Sequence, residues 1–203
     1  MKYFAFSLYS SNRANFNSYA KGAYENMITI KNNYPDFKCL FFIADDCLEN
    51  EYVKRILESD SEVILKKNES RNQKSVLWRF DPLINDNFDI CFFRDCDSRI
   101  TKREDNLIKL FIKSDKNFHV IRDYPHKRKI LAGMWGVKKT TPDMKKCIED
   151  LYDMDDSYGF EEKYFEKTMW EYIKEDLLLH CFSIVPNLFV RNNDSSFIGQ
   201  PYK

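Results

Sequence analysis

Phe88-Asp89-Ile90-Cys91-Phe92-Phe93-Arg94-Asp95-Cys96-Asp97-Ser98-Arg99 is an apolar run that ends in two aspartates one residue apart, bracketed by arginines. Such a run reads as a strand buried on both faces, which is the habit of a parallel sheet. Two neighbouring carboxylates just beyond a strand end repel each other unless a cation or a proton intervenes. Mg²⁺ and Mn²⁺ prefer oxygen ligands and are commonly held by one or two carboxylates plus substrate phosphates. The D-x-D is therefore a candidate diphosphate clamp. A D-x-D also arises by chance in a chain with 32 acidic residues. Asp153-Met154-Asp155 is a second one and reads as a solvated loop. The strand before Asp95 separates the two.

Moving outward, strands and helices alternate. Tyr3–Tyr9 is a short aromatic strand. Ser18–Lys31 has apolar residues at helical spacing and stops at Asn32-Asn33-Tyr34-Pro35. Phe37–Ala44 is a second apolar strand, ending at Asp45-Asp46. Glu49–Asp60 reads as a helix and Val63–Leu65 as a short strand. Lys66–Lys74 is a polar loop, and Ser75–Phe80 a helix stopped near Pro82. Beyond the D-x-D, Thr101-Lys102-Arg103-Glu104 has the form of a capping box before a helical face at Leu107, Ile108, Leu110 and Phe111. Asn117–Ile121 is a strand, and Ile130–Val137 holds two glycines. Thr141-Pro142 opens a helix, Phe160–Leu178 a long one, and Phe182–Val185 is a last strand. This alternation predicts an α/β protein with an open, mostly parallel central sheet and helices on both faces, in a single domain over 1–203. Ligands of such sheets bind beyond the carboxyl ends of the strands, here Ser7 to Tyr9, Asp45-Asp46 and Asp95 to Asp97.

Composition narrows the class. The 203 residues are 43% hydrophobic and 32% charged, with basic and acidic residues equal in number. That balance argues against a general nucleic-acid binder. The 17 Phe, 12 Tyr and 3 Trp read as a ring-rich core. Six cysteines without a C-x-x-C pair, three of them in or beside apolar runs, read as reduced thiols of a cytoplasmic protein. The N-terminus turns polar too soon for a signal peptide. No run approaches the roughly 18 apolar residues of a membrane span. Two sequon matches, at Asn68 and Asn193, read as chance. Walker, Rossmann, G-x-S-x-G and H-E-x-x-H patterns are absent.

Other residues admit two readings. His180, after three leucines, is either a satisfied core histidine or a ligand. His126 lies in a basic loop that could meet a phosphate. Arg122-Asp123 ends a strand as Arg94-Asp95 does, so Asp123 is either a base or sugar contact or half of a surface ion pair. Gly133-Met134-Trp135-Gly136 is either a close-approach backbone with a stacking indole or a tight strand with a packed one.

Arg94-Asp95-x-Asp97-Ser98-Arg99, Glu104, His119-x-x-Arg122-Asp123-x-Pro125-His126 and Gly133-Met134-Trp135-Gly136 together resemble a group of GT-A-fold glycosyltransferases. That group includes the small glycosyltransferase domains of large algal (chlorella) DNA viruses and related bacterial proteins. Phe6-Ser7-Leu8-Tyr9, Trp78-Arg79-Phe80 and Phe197-Ile198-Gly199-Gln200 add to the likeness. The resemblance implies a transferase that moves a sugar from a nucleotide-diphosphate donor, a UDP-sugar by preference, to a glycan or other hydroxyl acceptor. It implies Mn²⁺ or Mg²⁺ held by Asp95, Asp97 and His180. Ser7, Leu8, Tyr9, Asp45 and Arg79 would meet the donor. Asp123, Glu161 and Glu162 would act as base or sugar-hydroxyl contacts, and the tail 187–203 would close over the donor. If viral, the site of action is the host cytoplasm. The resembling proteins often carry Asp-Gln after Tyr-Gly, and Glu161-Glu162 follows Tyr158-Gly159-Phe160 here. Ala132 likewise stands where a second Gly is common. The alternatives are a non-catalytic glycan or nucleotide-sugar-binding module of the same fold and a haloacid-dehalogenase-type phosphatase. The latter expects Thr or Val where Arg99 stands.

Overall fold

A computed structural model describes residues 1–11, 15–68, 73–124, 126–154, 157–185 and 197–201. Among the described residues, seven strands form one sheet in the order β3-β2-β1-β4-β6-β5-β7. They are β1 (Lys2–Leu8), β2 (Lys38–Ala44), β3 (Glu62–Lys66), β4 (Ile90–Arg94), β5 (Phe118–Arg122), β6 (Met134–Val137) and β7 (Leu177–Cys181). Pairings β1–β2, β1–β4, β2–β3 and β5–β7 are parallel, and only β6 runs against its two neighbours. The α/β class and the mostly parallel sheet are as the alternation predicts.

The chain winds outward from β1 to β2 and β3, then returns to place β4 on the other side of β1. The two crossovers diverge at the carboxyl ends of β1 and β4, and a crevice opens there. Alternating side chains of β1 show which element covers which face. Phe4 stacks on Phe92 and meets Tyr34 at the end of α1 (Phe16–Asn33). Ser7 points the other way, to a 3₁₀ segment, Gln73–Phe80. In β4, Phe92 meets Phe111 of α4 (Lys102–Lys113), whereas Phe93 meets Phe80 and Trp135. Helices thus cover both faces, and rings fill both halves of the core.

The remaining helices are α2 (Glu51–Leu57), α3 (Asp81–Asn85), α5 (Pro142–Asp153), α6 (Phe160–Tyr164) and α7 (Trp170–Ile173). Three local expectations need correction. Pro82 does not stop a helix but sits in the first turn of α3, where its missing N–H costs nothing. The expected long helix 160–178 is α6, a π turn Phe165–Met169, α7 and a 3₁₀ turn Lys174–Asp176. The last strand is Leu177–Cys181, and a turn follows where the pattern predicts a strand at 182–185. A run of three leucines satisfies helical and strand periodicity equally, and sheet pairing with β5 decides it. The capping box forms: Thr101 Oγ accepts from the Glu104 amide, and the Thr101 backbone N–H bonds the Glu104 carboxyl in return. The Glu104 side chain also pairs with the buried Arg94.

Candidate functional site

The D-x-D loop is held by α1 and by a buried arginine. Tyr19, Gly22 and Asn26 fall on one face of α1, three and four residues apart. Asn26 is fully buried; its Nδ2 donates to Ser98 O at 2.7 Å and its Oδ1 accepts from Ile100 N at 3.1 Å. Gly22 lets the loop lie against the helix, since a Cβ there would come 2.0 Å from Cys96 O. Arg99 donates to Glu25 at 2.6 Å. Behind the loop, Arg94 pairs with Glu104 at 2.6 Å, with both side chains buried. It also donates to Gly133 O at 3.0 Å and Ser98 Oγ at 3.2 Å. Burial lifts the Glu104 carboxyl to about 7 against the pull of Arg94.

Asp95 and Asp97 open into a cleft of about 330 Å³ that joins a smaller hollow of about 180 Å³. Tyr9, Tyr19, Arg79, Asp95 and Tyr158 line both. The buried Arg79 guanidinium bonds Arg94 O at 3.2 Å and makes a tight ion pair with Asp95, while its Nε lacks a partner. Ser7 fixes this arginine's backbone: its Oγ accepts from Arg79 N at 2.9 Å and donates to Val76 O at 3.1 Å. Burial and the Asp95 charge push the Asp97 carboxyl up, while the Tyr19 hydroxyl bonded to it pulls it down. Burial raises the Tyr9 hydroxyl to about 12, so it stays a neutral donor.

Glu161 and Glu162 enter the same cleft from the first turn of α6, after Gly159 at φ 67°. Burial raises both carboxyls, with Asp95 adding to the effect. Glu162 accepts from Ala132 N at 3.4 Å and lies 4.0 Å from Arg128. Among the described lining residues, four carboxylates thus face one opening in which Arg79 is the one arginine or lysine.

The far wall is the segment 197–201, the described part of the tail. Phe197, Gly199 and Pro201 line the cleft. Asp123 anchors them: its Oδ2 accepts from Ile198 N at 2.8 Å and its Oδ1 from Tyr124 N at 2.7 Å. His126 donates through Nε2 to Ile198 O at 3.2 Å, and Ser98 bridges to Pro201.

Ser7, Tyr9, Arg79, Asp95, Asp97, Glu161 and Glu162 therefore line the two adjoining hollows. Leu8, Asp45, Asp123 and His180 are not among the described residues that line the cleft. The Leu8 side chain is wholly in the core because β1 alternates and the next residue, Tyr9, faces the opening. Asp45 accepts from Asn68 N at 3.0 Å and pins the chain after β3. Asp123 is buried and occupied by amides, which suits an anchor rather than a base. His180 sits on β7, the terminal strand at the other side of the sheet, its Nδ1 2.9 Å from His119 Nε2. No cluster of three or more His, Cys, Asp or Glu side chains suited to a metal occurs among the described residues. The metal shell with His180 is thus not formed by them. Trp135 is packed in the core at 2% exposure, not a stacking platform. Asp153 is exposed, Asp155 lies outside the described residues, and so do Pro125 and 186–196.

Tyr19, Asn26 and Tyr158 are site residues that the motif reading does not reach. A glycine and an asparagine inside a helical pattern, on the same face as a tyrosine, are the available signal.

No protein-family model and no curated protein matches the sequence. Among solved structures, the chain is similar to the crystal structure of 4-diphosphocytidyl-2C-methyl-D-erythritol synthase from Anaerococcus prevotii DSM 20548. The TM-score is 0.52 at 8% identity, over 88% of this chain and 86% of that one. The likeness is one of fold. No helix among the described residues is long and apolar enough to cross a membrane.

Proposed function

We propose that the protein is a metal-dependent glycosyltransferase that takes its sugar from a nucleotide-diphosphate donor, a UDP-sugar by preference, and passes it to a glycan or other hydroxyl acceptor. The observation that carries this is the crowd of four carboxylates around Arg79 at the crevice between β1 and β4. A diphosphate entering that cleft meets a surplus of negative charge, and a divalent cation resolves the conflict. Asp95 and Asp97 supply oxygen donors of the right hardness. With no third protein ligand beside them among the described residues, substrate oxygens would complete the shell, as is usual for Mg²⁺. Such an ion would neutralise charge on the departing diphosphate.

The chain's own residues have separate tasks. Tyr19 holds Asp97 in place through its hydroxyl. Arg79 supplies a fixed cation that needs no reorganisation when charge develops nearby. Tyr158, on the cleft rim, is placed for stacking on a base or sugar. Glu161 and Glu162, raised by burial, are nearer than an ordinary carboxylate to the basicity that takes a proton from an acceptor hydroxyl. The structural neighbour is named for a diphosphocytidyl compound, which agrees with a nucleoside-diphosphate ligand in this fold.

The test is incubation with Mn²⁺ and a panel of nucleotide sugars and glycan acceptors, followed by measurement of free nucleotide. Sugar-dependent release of UDP, lost in Asp97→Ala, is the expected result. Pyrophosphate release from a nucleoside triphosphate would point to nucleotidyl transfer instead. Binding of nucleotide sugar without turnover would make the protein a binding module. Metal-dependent UDP binding that survives Asp95→Ala with Asp97→Ala would end the reading.

A further inference from the structure

The far edge of the sheet carries a second feature, remote from the cleft. β3 is the terminal strand, paired with β2 alone among the described strands. Two of its inner residues are large aliphatics left in water: the central Ile64 is 43% and Leu65 54% exposed. They point to opposite faces, so no single helix covers them. A bare apolar edge strand is a template for another strand.

The flanking charges say which strand. Glu58-Ser59-Asp60-Ser61-Glu62 precedes the apolar Val63-Ile64-Leu65, and Lys66-Lys67 follows. The segment is acidic at its start, apolar in its middle and basic at its end. Laid antiparallel on its own copy about Ile64, it sets Glu62 opposite Lys66 twice over. Parallel pairing would set like against like. Glu62 also accepts from Tyr3 at 2.9 Å and Lys38 at 3.2 Å, and Lys66 reaches Asp81 at 2.7 Å. Both side chains are thus engaged inward in the single chain, and the two-fold contact has them shared between these partners and the facing strand. We propose that β3 pairs with β3 of a second copy of this chain across a two-fold axis, which joins two sheets into one and covers Ile64 and Leu65. A two-fold contact is self-complementary by nature, which is the property this segment has.

Sedimentation velocity over a concentration series tests this with the intact chain. The wild type is expected to dimerise, and Ile64→Lys to be a folded monomer. Glu62→Lys alone and Lys66→Glu alone place like charges opposite each other and are expected to weaken the dimer by about tenfold. In a mixture of these two variants, one chain is basic at both positions and the other acidic at both. Each of the two cross-strand contacts then joins opposite charges again, and the dimer is expected to return. Circular dichroism establishes that each variant is folded. A wild type monomeric throughout the series, an Ile64→Lys protein that still dimerises, or a mixture no tighter than its parts would each overturn the proposal.

Discussion

A Cβ placed on Gly133 would lie 2.0 Å from Asp95 Oδ2 and 2.8 Å from the Asp95 amide. The first strand-end carboxylate therefore has its position because β6 is entered through a residue without a side chain. Gly133→Ala should displace the Asp95 carboxylate, whose rotation alone does not relieve the clash with the amide. The expected outcome is a folded protein whose Mn²⁺-dependent UDP affinity, read by calorimetry, falls about 10- to 100-fold. Unchanged affinity would show that Asp95 is not held by this contact.

The Arg94–Glu104 pair, with side chains 2% and 1% exposed, predicts a stability effect. Removing one partner of a buried pair leaves a bare charge and costs about 3–5 kcal/mol. Glu104→Ala should therefore unfold at clearly lower urea. Arg94→Met combined with Glu104→Leu should recover much of that loss, because neither charge then needs a partner. The double variant should nevertheless lose affinity for the donor, since Arg94 also ties Ser98 to Gly133.

Much of this is legible in the residues. Apolar runs closed by polar or acidic residues mark the strands β1, β2 and β4, and those strands determine where the crevice lies. Short-range pattern fails where tertiary pairing decides. Leu177-Leu178-Leu179 is a strand because β5 offers an edge, and His180 then faces His119 instead of the cleft. Asp123 reads from sequence like Asp95, since both follow an arginine at a strand end. The difference arises from the amides of Tyr124 and Ile198, the latter 75 residues away. Nothing local encodes that contact.

The buried histidines predict a pH response. Burial holds His180 down to about 4 and His119 well below its usual 6.5. The unfolded chain takes up these protons first as pH falls. Stability from the pair is thus complete above about 6.5 and is lost progressively as pH falls through about 4, by no more than about 3 kcal/mol for His180. Imidazole NMR shifts between pH 8 and pH 5 should show both rings neutral throughout. A ring of this pair that titrates near 6.5 would mean the pair is not closed.

Asp123 separates an anchoring role from a chemical one. Each of its oxygens accepts one backbone amide, from Tyr124 and Ile198, and the residue is 1% exposed. Asp123→Asn keeps one acceptor and turns an amide N–H₂ against a second N–H. Two buried donors then compete for one oxygen, at a cost of about 1–3 kcal/mol. The segment 197–201 should loosen, and exchange of the Ile198 amide with solvent should accelerate. Donor affinity should fall with it, because Phe197, Gly199 and Pro201 wall the cleft. Turnover at saturating donor should change little. A general base removed in the same way would lower that rate by about 10²- to 10⁴-fold. Glu161→Gln and Glu162→Gln are the variants in which a loss of that size is expected. If Asp123→Asn alone produces it while Ile198 exchange stays slow, the base is Asp123 and its two amides must release it during the reaction.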